Sequence, residues 1–594
     1  MQPDVPAIHR AFDYLVDELV AVGTIVRVPL HGRRVRGWVV DSDVAVPESP
    51  RDRLREVIGV VSAGPPADVV DLCRWAAWRW AGPLATFLRA ASPSNVVRAG
   101  TEPERETAVY PGERVSGAEL LVVGPRDDVR PQLAPEGSTL VIDPSAARAA
   151  RRADEWRDEG REVITLGSEH PDAVRTAQWD RARAGACVVI GGRSAVWAPV
   201  PDLTAVVVID EGDEALEDER APTWNGRAVA LERARRAGAA VRVITPAPTV
   251  DALVAVGEPR TAPGRRDWPR VEIVDQRDEE PGHGLLSAAL ADALRRTVGA
   301  DSRAICVLNR RGRARLLACH SCKELARCET CGATVEQRDL QPESTGFPES
   351  LQSESTGLAC ARCGTLRPLV CLHCHGSRFR AVRPGITRVR DDLAALLPRT
   401  EVAAVDATTA TSREEPVPDA PVLIGTEAVL HRVAASGGRP VGLVAFLELD
   451  QELLAPRAYA AEQALWLLVR GARLLGRTGP LLLQTRIPDH EVVQAAVRGE
   501  PMLVADAERA RRQTLAFPPF GGLAEVRGAA EAVAAACDAV REQGVTVLGP
   551  VADGSQALLR APSSDRLCDA LAAPAVEAAR TRGRLRIDVD PRRV

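Results

Sequence analysis

The sequence predicts an α/β chain with two parallel-sheet units. A β-rich unit precedes them, an all-cysteine two-zinc module interrupts the second, and an α+β segment closes the chain. Three observations carry this prediction. Short apolar runs alternate twice with Arg- and Ala-rich helical stretches, four Cys-x-x-Cys pairs fall inside the second series, and the first 65 residues alternate as strands do.

At the N-terminal end, Gly23 to Leu30 runs into a His31-Gly32-Arg33-Arg34 turn, and Val35 to Val40 follows as the return strand of a hairpin. From Asp68 to about Ala91 apolar residues recur at helical spacing, with Trp75, Trp78 and Trp80 among them. A Trp-rich helix serves either as core or as a base-stacking platform, and core packing is the expectation. The first series of buried strands is Leu120–Val123, Thr139–Asp143, Glu162–Ile164, Cys187–Ile190 and Ala205–Asp210. The second is Val271–Asp275, Ala304–Leu308, Val422–Ile424, Leu443–Leu447 and Leu481–Gln484. The last hundred residues mix Ala-rich helices with strands such as Val545–Leu548 and Leu585–Val589.

Eight of the thirteen cysteines form the pairs Cys319/Cys322, Cys328/Cys331, Cys360/Cys363 and Cys371/Cys374. Tetrahedral zinc takes four thiolates, so eight predict two closed sites with no open position for a catalytic water. Nested, adjacent and interleaved pairings all satisfy the count. Gly332, Gly364 and Gly376 follow three of the pairs, where a positive φ lets backbone amides face the sulfurs. Between Cys331 and Cys360, Glu-Ser-Thr-Gly occurs at 343–346 and 354–357, and this polar stretch reads as a mobile loop. Cys73, Cys187, Cys306, Cys537 and Cys568 are expected as buried thiols. The start of the chain shows no secretory pattern and no apolar run reaches membrane-spanning length, so a reducing cytoplasm, with no membrane, is the expected setting. A net charge of −5 excludes a global electropositive field, leaving any DNA affinity to local patches.

Several motifs together resemble one family. They are Ile190-Gly191-Gly192-Arg193-Ser194-Ala195, Val208-Ile209-Asp210-Glu211, Leu308-Asn309-Arg310-Arg311-Gly312, the eight cysteines, Phe517-Pro518-Pro519-Phe520, Leu548-Gly549-Pro550 and Asp588-Val589-Asp590-Pro591. From about Ala11 onward the chain resembles the bacterial replication-restart helicases of the PriA family (primosomal protein N-prime). The resemblance implies two RecA-like lobes of the superfamily 2 helicase type. It also implies nested zinc ligation, Cys319, Cys322, Cys371 and Cys374 holding one ion and Cys328, Cys331, Cys360 and Cys363 the other, with His320, His373 and His375 outside both. The implied organisation is a 3′-end DNA-binding domain at 1–65 and a helical linker at 66–118. Lobe 1 spans 119–262, lobe 2 spans 263–312 and 383–488 around a zinc module at 313–382, and a C-terminal domain covers 489–594. The family's winged helix is missing, because only roughly twenty residues separate Arg98 from Glu119.

The phosphate-handling motifs depart from the family. A phosphate loop needs Gly-Lys-Ser/Thr, yet the corresponding stretch reads Val123-Gly124-Pro125-Arg126-Asp127-Asp128-Val129, and the only lysine, Lys323, lies in the zinc cluster. The Asp-Glu-Glu-His box survives as Asp210-Glu211-Gly212-Asp213, which reads as an exposed acidic turn. Gly-Ser-Ala-Thr-Pro has become Val243-Ile244-Thr245-Pro246-Ala247-Pro248. Ile424-Gly425-Thr426-Glu427 lacks the following Lys-Gly, and the arginine box is reduced to Leu468–Arg477. Each lost contact to triphosphate or metal removes several kcal/mol of transition-state stabilisation. ATP and Mg²⁺ chemistry is therefore not expected, and no catalytic residue is assigned.

For DNA, the resemblance implies 3′-end recognition by Phe12-Asp13-Tyr14 and Arg55. An aromatic stacks on the terminal base and a carboxylate accepts the proton of a free 3′-hydroxyl. Hydrophobic core is the alternative role for Phe12 and Tyr14. Arginines flanking the cysteines (Arg310, Arg311, Arg313 and Arg315 before, Arg378, Arg380, Arg383, Arg388 and Arg390 after) are candidates for phosphates or the acidic tail of a single-strand DNA-binding protein. The expectation is a zinc- and DNA-binding replication-restart primosome protein without helicase activity. It would recognise stalled or branched forks and meet the single-strand-binding protein, other primosome components and the replicative helicase loader. The rivals are an ATP-dependent 3′–5′ helicase with unorthodox nucleotide binding, and a zinc-dependent interaction protein with no DNA role.

Overall fold

The computed structural model describes the chain except for positions 6–7, 9, 17, 43, 45–53, 99–116, 128–129, 131–132, 134–136, 262–266, 278–284, 310–316, 340–355, 361, 382–385, 406–416, 437, 552 and 593–594. Most of the segment on which the missing winged helix rests thus lies outside the described residues.

The hairpin forms as its alternation predicts. Strand Ile25–Leu30 pairs antiparallel with Arg33–Trp38, and His31 and Gly32 form the two-residue turn at positive φ (48° and 76°). Gln2–Pro3 and Gly59–Ser62 flank them in a four-stranded sheet, with Val26, Val28 and Val39 buried beneath. The Trp-rich stretch forms two helices, Ala67–Arg79 and Leu84–Ala91, instead of one. Ala81 takes a left-handed conformation (φ 46°) and Pro83 cannot continue a helix, so the chain turns between them. Trp80 is buried and stacks edge-on against Trp75 at 5.4 Å, as core packing requires.

The α/β class with parallel sheets holds. The first sheet has seven parallel strands in the order Arg260–Thr261, Ala118–Val122, Ala240–Thr245, Leu203–Ile209, Ser138–Ile142, Val188–Gly191 and Val163–Leu166. Helices cover both faces, which is why these strands read as unbroken apolar runs. Helix Gly226–Ala237 shows how local sequence sets the bounds. Asn225 caps its first turn, and Gly238 ends it at φ 63°. The second sheet has six parallel strands in the order Val271–Asp275, Leu481–Thr485, Val441–Phe446, Arg303–Val307, Val422–Gly425 and Val402–Val405. The cysteine segment leaves this sheet after Val307 and returns before Val402. The C-terminal part is a four-stranded antiparallel sheet with helices Ala530–Glu542, Ser564–Leu571 and Pro574–Ala579.

One apolar core runs through the Trp-rich helices, the first sheet and the C-terminal sheet, from Phe87 through Trp197 to Ile587. Arg79 pairs with Asp590, and the Trp78 indole donates to Asp569 at 2.9 Å. The N-terminal helices thus weld the C-terminal part to the first sheet. Among the described residues no helix is long and apolar enough to cross a membrane.

Candidate functional site

Four near-identical turns build the cysteine centres. In each, the first cysteine carbonyl accepts from the amide four residues on (Lys323, Gly332, Gly364 and His375), and its own amide donates to the carbonyl five residues on. The residue after each second cysteine sits at positive φ: Lys323 63°, Gly332 73°, Gly364 77° and His375 61°. Two of the three predicted glycines occupy that position. Gly376 does not, because His375 already makes the left-handed step, and Gly376 instead lets the backbone lie near Cys319 and Cys374.

The turns converge in nested fashion. Cys319 Sγ lies 3.5 Å from Cys374 and Cys322 3.6 Å from Cys371, while Cys328–Cys363 and Cys331–Cys360 are both 3.5 Å. A zinc ion with bonds of about 2.3 Å sets tetrahedral sulfur edges of roughly 3.8 Å, so both tetrads fit zinc. Burial pushes the Cys319 thiol up, but donation from the Cys322 and Ser321 amides and neighbouring thiols outweighs it and lowers it, whereas burial and the neighbouring thiols raise Cys322 in the same tetrad. Such amides favour the thiolate a metal requires. His320, His373 and His375 are exposed and belong to neither tetrad. The other five cysteines are buried. The low-complexity stretch lies outside the described residues up to position 355, but Thr356 and Gly357 open a strand paired with Glu336–Asp339. Arg310, Arg311, Arg313, Arg315 and Arg383 also lie outside, as do the side chains of Arg380 and Arg388. Arg378 is exposed, and Arg390 pairs with Asp391.

At the N-terminal end, Tyr14 and Arg55 stand opposite each other in a short parallel pairing. The Phe12 backbone is tied to Met1 by reciprocal 2.8 Å bonds, and its half-buried ring lies 4.9 Å from the Arg10 guanidinium. Tyr14 packs against the valine core and its hydroxyl donates to Pro29 O at 3.1 Å, so its ring serves partly as core. Asp13 and Arg55 are exposed and have no ion pair among the described residues.

The two parallel-sheet units meet at a cleft, where helices Ala146–Asp158 and Ala460–Leu474 bring charges to the turn after strand Leu203–Ile209. The acidic turn is buried, contrary to the exposed turn expected: Asp210 is 2% and Glu211 0% exposed. Asp210 takes Arg473 through two 2.7 Å contacts and Arg148 through one at 2.6 Å, and Arg148 also binds the buried Asp143. Burial alone would raise the Asp210 carboxyl, but Arg473 and Arg148 hold it below the usual range. Glu211 accepts from Arg227 at 2.8 Å and from the Thr249 amide and hydroxyl at 2.8 and 2.9 Å. Arg470 bridges Asp213 and Glu427 across the cleft. A Cβ on Gly212 would stand 2.1 Å from Trp466 Nε1, so the indole fills the space of any side chain there. At the loop after the first strand, the Gly124 amide donates to Asp127 Oδ2 at 2.5 Å, and Arg126 reaches Asp267 and the Gly476 carbonyl.

Comparison with known proteins decides the family. Residues 3–93 match the model of the 3′DNA-binding domain (3′BD), and residues 513–592 match the Primosomal protein N C-terminal domain. A probable replication restart protein PriA from Mycobacterium bovis is 30% identical over 608 aligned positions, covering 90% of this chain and 87% of the relative. The chain belongs to the PriA family. The Bacillus subtilis replication restart protein PriA is 24% identical, over 71% of this chain and 51% of its own. A solved DEAD box protein from the hyperthermophile Methanococcus jannaschii covers 64% of this chain and 86% of its own, at 9% identity. Its TM-score of 0.28 is too low to support an argument.

Against the PriA pattern, the cleft groups that would face Mg²⁺-nucleotide are engaged within the protein. A carboxylate caps the loop amide that would face phosphate. Arginines saturate the acidic group that would hold magnesium, and an indole displaces the third residue of the acidic box. The sequence signalled the missing lysine. It did not signal Arg148, Arg473 or Trp466, which helices Ala146–Asp158 and Ala460–Leu474 bring to the motif.

Proposed function

We propose that this PriA-family chain recognises stalled or branched replication forks through a 3′-end site and promotes reloading of the replication machinery, with its two sheets acting as scaffold in place of a motor. The match to the 3′DNA-binding domain over 3–93, within a relative covering 90% of the chain, carries the reading. In it, Phe12 stacks on the terminal base, Asp13 accepts the 3′-hydroxyl proton, and Tyr14 and Arg55 shape the pocket and hold the terminal phosphate. The sheet units at 119–262, and at 263–312 with 383–488, are assigned as RecA-like lobes, with the zinc module at 313–382 between the parts of the second. Helices Ala67–Arg79 and Leu84–Ala91, which the 3–93 match includes, join the strands of 1–65 to them, and 489–594 forms the C-terminal domain. Two Zn²⁺ ions hold the module, which displays its surface to the single-strand DNA-binding protein, other primosome components and the helicase loader. Such work on chromosomal forks belongs to the cytoplasm. The filled cleft supports the absence of a motor, since nucleotide would have to displace Arg473, Arg148 and Asp127 together.

Fluorescence anisotropy on forks with a free 3′-hydroxyl or a 3′-phosphate tests this reading. Tighter binding to the hydroxyl fork is expected, reduced to indifference by Asp13→Asn. Phe12→Ala should cost about 1–3 kcal/mol in binding. Equal affinity of the native chain for both forks would refute 3′-end recognition.

A further inference from the structure

The outward face of the N-terminal hairpin carries charge that no acidic group among the described residues pairs with. Arg27 stands directly opposite Arg36, and Arg34 stands opposite Pro29. Cross-strand partners share a face and side chains alternate along a strand, so Arg27, Arg34 and Arg36 project together, while Val26 and Val28 are buried beneath. All three arginines are exposed, and none has a carboxylate partner among the described residues. Arginines of the adjoining helices behave differently: Arg74, Arg79 and Arg89 each meet an aspartate. Like charges directly opposite destabilise a sheet, so the Arg27/Arg36 pair weakens the hairpin when nothing neutralises it. The third strand leaves the face open. Gly59 pairs with Arg27 there, and a Cβ on it would meet nothing within 4 Å.

The track also has a direction. The Tyr14 hydroxyl donates to the Pro29 carbonyl, and Arg34 is the residue opposite Pro29, so one end of the row adjoins the Tyr14/Arg55 pair. Arg36 follows about 7 Å further along the strand, with Arg27 beside it. Guanidinium groups present forked donors that match phosphate oxygens.

We propose that this face is a phosphodiester track: Arg34, Arg36 and Arg27 take the backbone phosphates of the strand leading into the 3′-end site. The inference rests on the 3′-end reading above and adds to it a sequence-independent contact that supplies affinity, leaving discrimination of the end to Phe12 and Asp13.

The test is the salt dependence of fork binding by the full chain. Each neutralised phosphate contributes about 0.7 (single strand) to 0.9 (duplex) to the slope of log K against log salt. The Arg27→Ala/Arg34→Ala/Arg36→Ala variant should therefore lose about 2 to 3 from the slope and keep its preference for the 3′-hydroxyl fork over the 3′-phosphate fork. The corresponding triple lysine variant should recover most of the slope. Unchanged zinc content and a melting temperature no lower than that of the native chain would show that each variant is folded, the alanine variant being relieved of the Arg27/Arg36 repulsion. A slope within about 0.5 of the native value would overturn the track, and so would a loss of 3′-hydroxyl preference with the slope retained. Binding of these arginines to anionic phospholipid vesicles in place of forks would also overturn it. A native chain that binds forks without preferring the hydroxyl end would sink the 3′-end reading while leaving the slope measurement able to judge the track.

Discussion

Replacing Arg473 with glutamine removes the cross-cleft partner of a buried carboxylate. Asp210 is 2% exposed and takes two 2.7 Å contacts from Arg473, whose side chain is 26% exposed. Unit charges about 4 Å apart at an effective dielectric near 20 attract by about 4 kcal/mol. Arg148 continues to neutralise Asp210, and the freed carboxylate regains some hydration, so the net loss is about 2–3 kcal/mol, below the 3–5 typical of fully breaking a buried pair. For a cooperative unit of 150–250 residues this lowers the melting temperature by about 4–12 °C. Scanning calorimetry of Arg473→Gln, Asp210→Asn and the double variant measures it, with an expected coupling of about 2 kcal/mol. The Asp210 carboxyl is held below its unfolded value, so its contribution is present above that value and is lost only as pH falls through the lower folded value. The coupling should therefore be equal at pH 8 and pH 6. Additive single variants, or an Arg473→Gln melting point matching that of the exposed control Arg498→Gln, would refute the cleft clamp.

Three further outcomes follow from the same geometry. Cys360→Ala should lower the metal content from two zinc ions per chain to one, read by mass spectrometry, because the tetrads share no sulfur; loss of both ions would show them to be one cooperative centre. Gly212→Glu, which restores the family's acidic residue, should destabilise the chain by about 1–3 kcal/mol in thermal unfolding and restore no ATP hydrolysis, because Trp466 fills that space. Burial and the neighbouring Asp450 push Glu448 up to about 7, so its folded form loses stability as pH rises from its unfolded value through 7. Glu448→Gln should stabilise the chain at pH 8, by an amount on the order of 3 kcal/mol at most, and have little effect at pH 4, checked by calorimetry at both.

The parts legible in the sequence were those with short-range signatures. Val-rich strands buried on both faces, the His31-Gly32 turn and the four Cys-x-x-Cys turns all carry their pattern within a few residues. Val402–Val405 and Arg260–Thr261 were not predicted, since an Ala-rich strand and a two-residue edge strand give little periodic signal. Gly522–Gly528 and Gln556–Ala561 escaped for a related reason: small and charged residues alternate there with few large apolar ones. In the cleft, the absence of a phosphate-loop lysine was visible, but the burial of Asp210 was not. Its partners Arg148 and Arg473 are separated by more than three hundred positions, and they meet because helices Ala146–Asp158 and Ala460–Leu474 both reach the turn after strand Leu203–Ile209. Lys323 and His375 take the left-handed step at a position where the sequence pattern favours glycine.

The central claim, fork recognition without a motor, meets its most direct test in one sample of zinc-loaded chain assayed for ATP hydrolysis while bound to a forked DNA with a free 3′-hydroxyl. Saturating fork binding with hydrolysis at the DNA-free background is the predicted result. Fork-stimulated hydrolysis that disappears in a folded Asp210→Ala variant would contradict it, since the cleft would then hold nucleotide in spite of Arg473, Arg148 and Asp127.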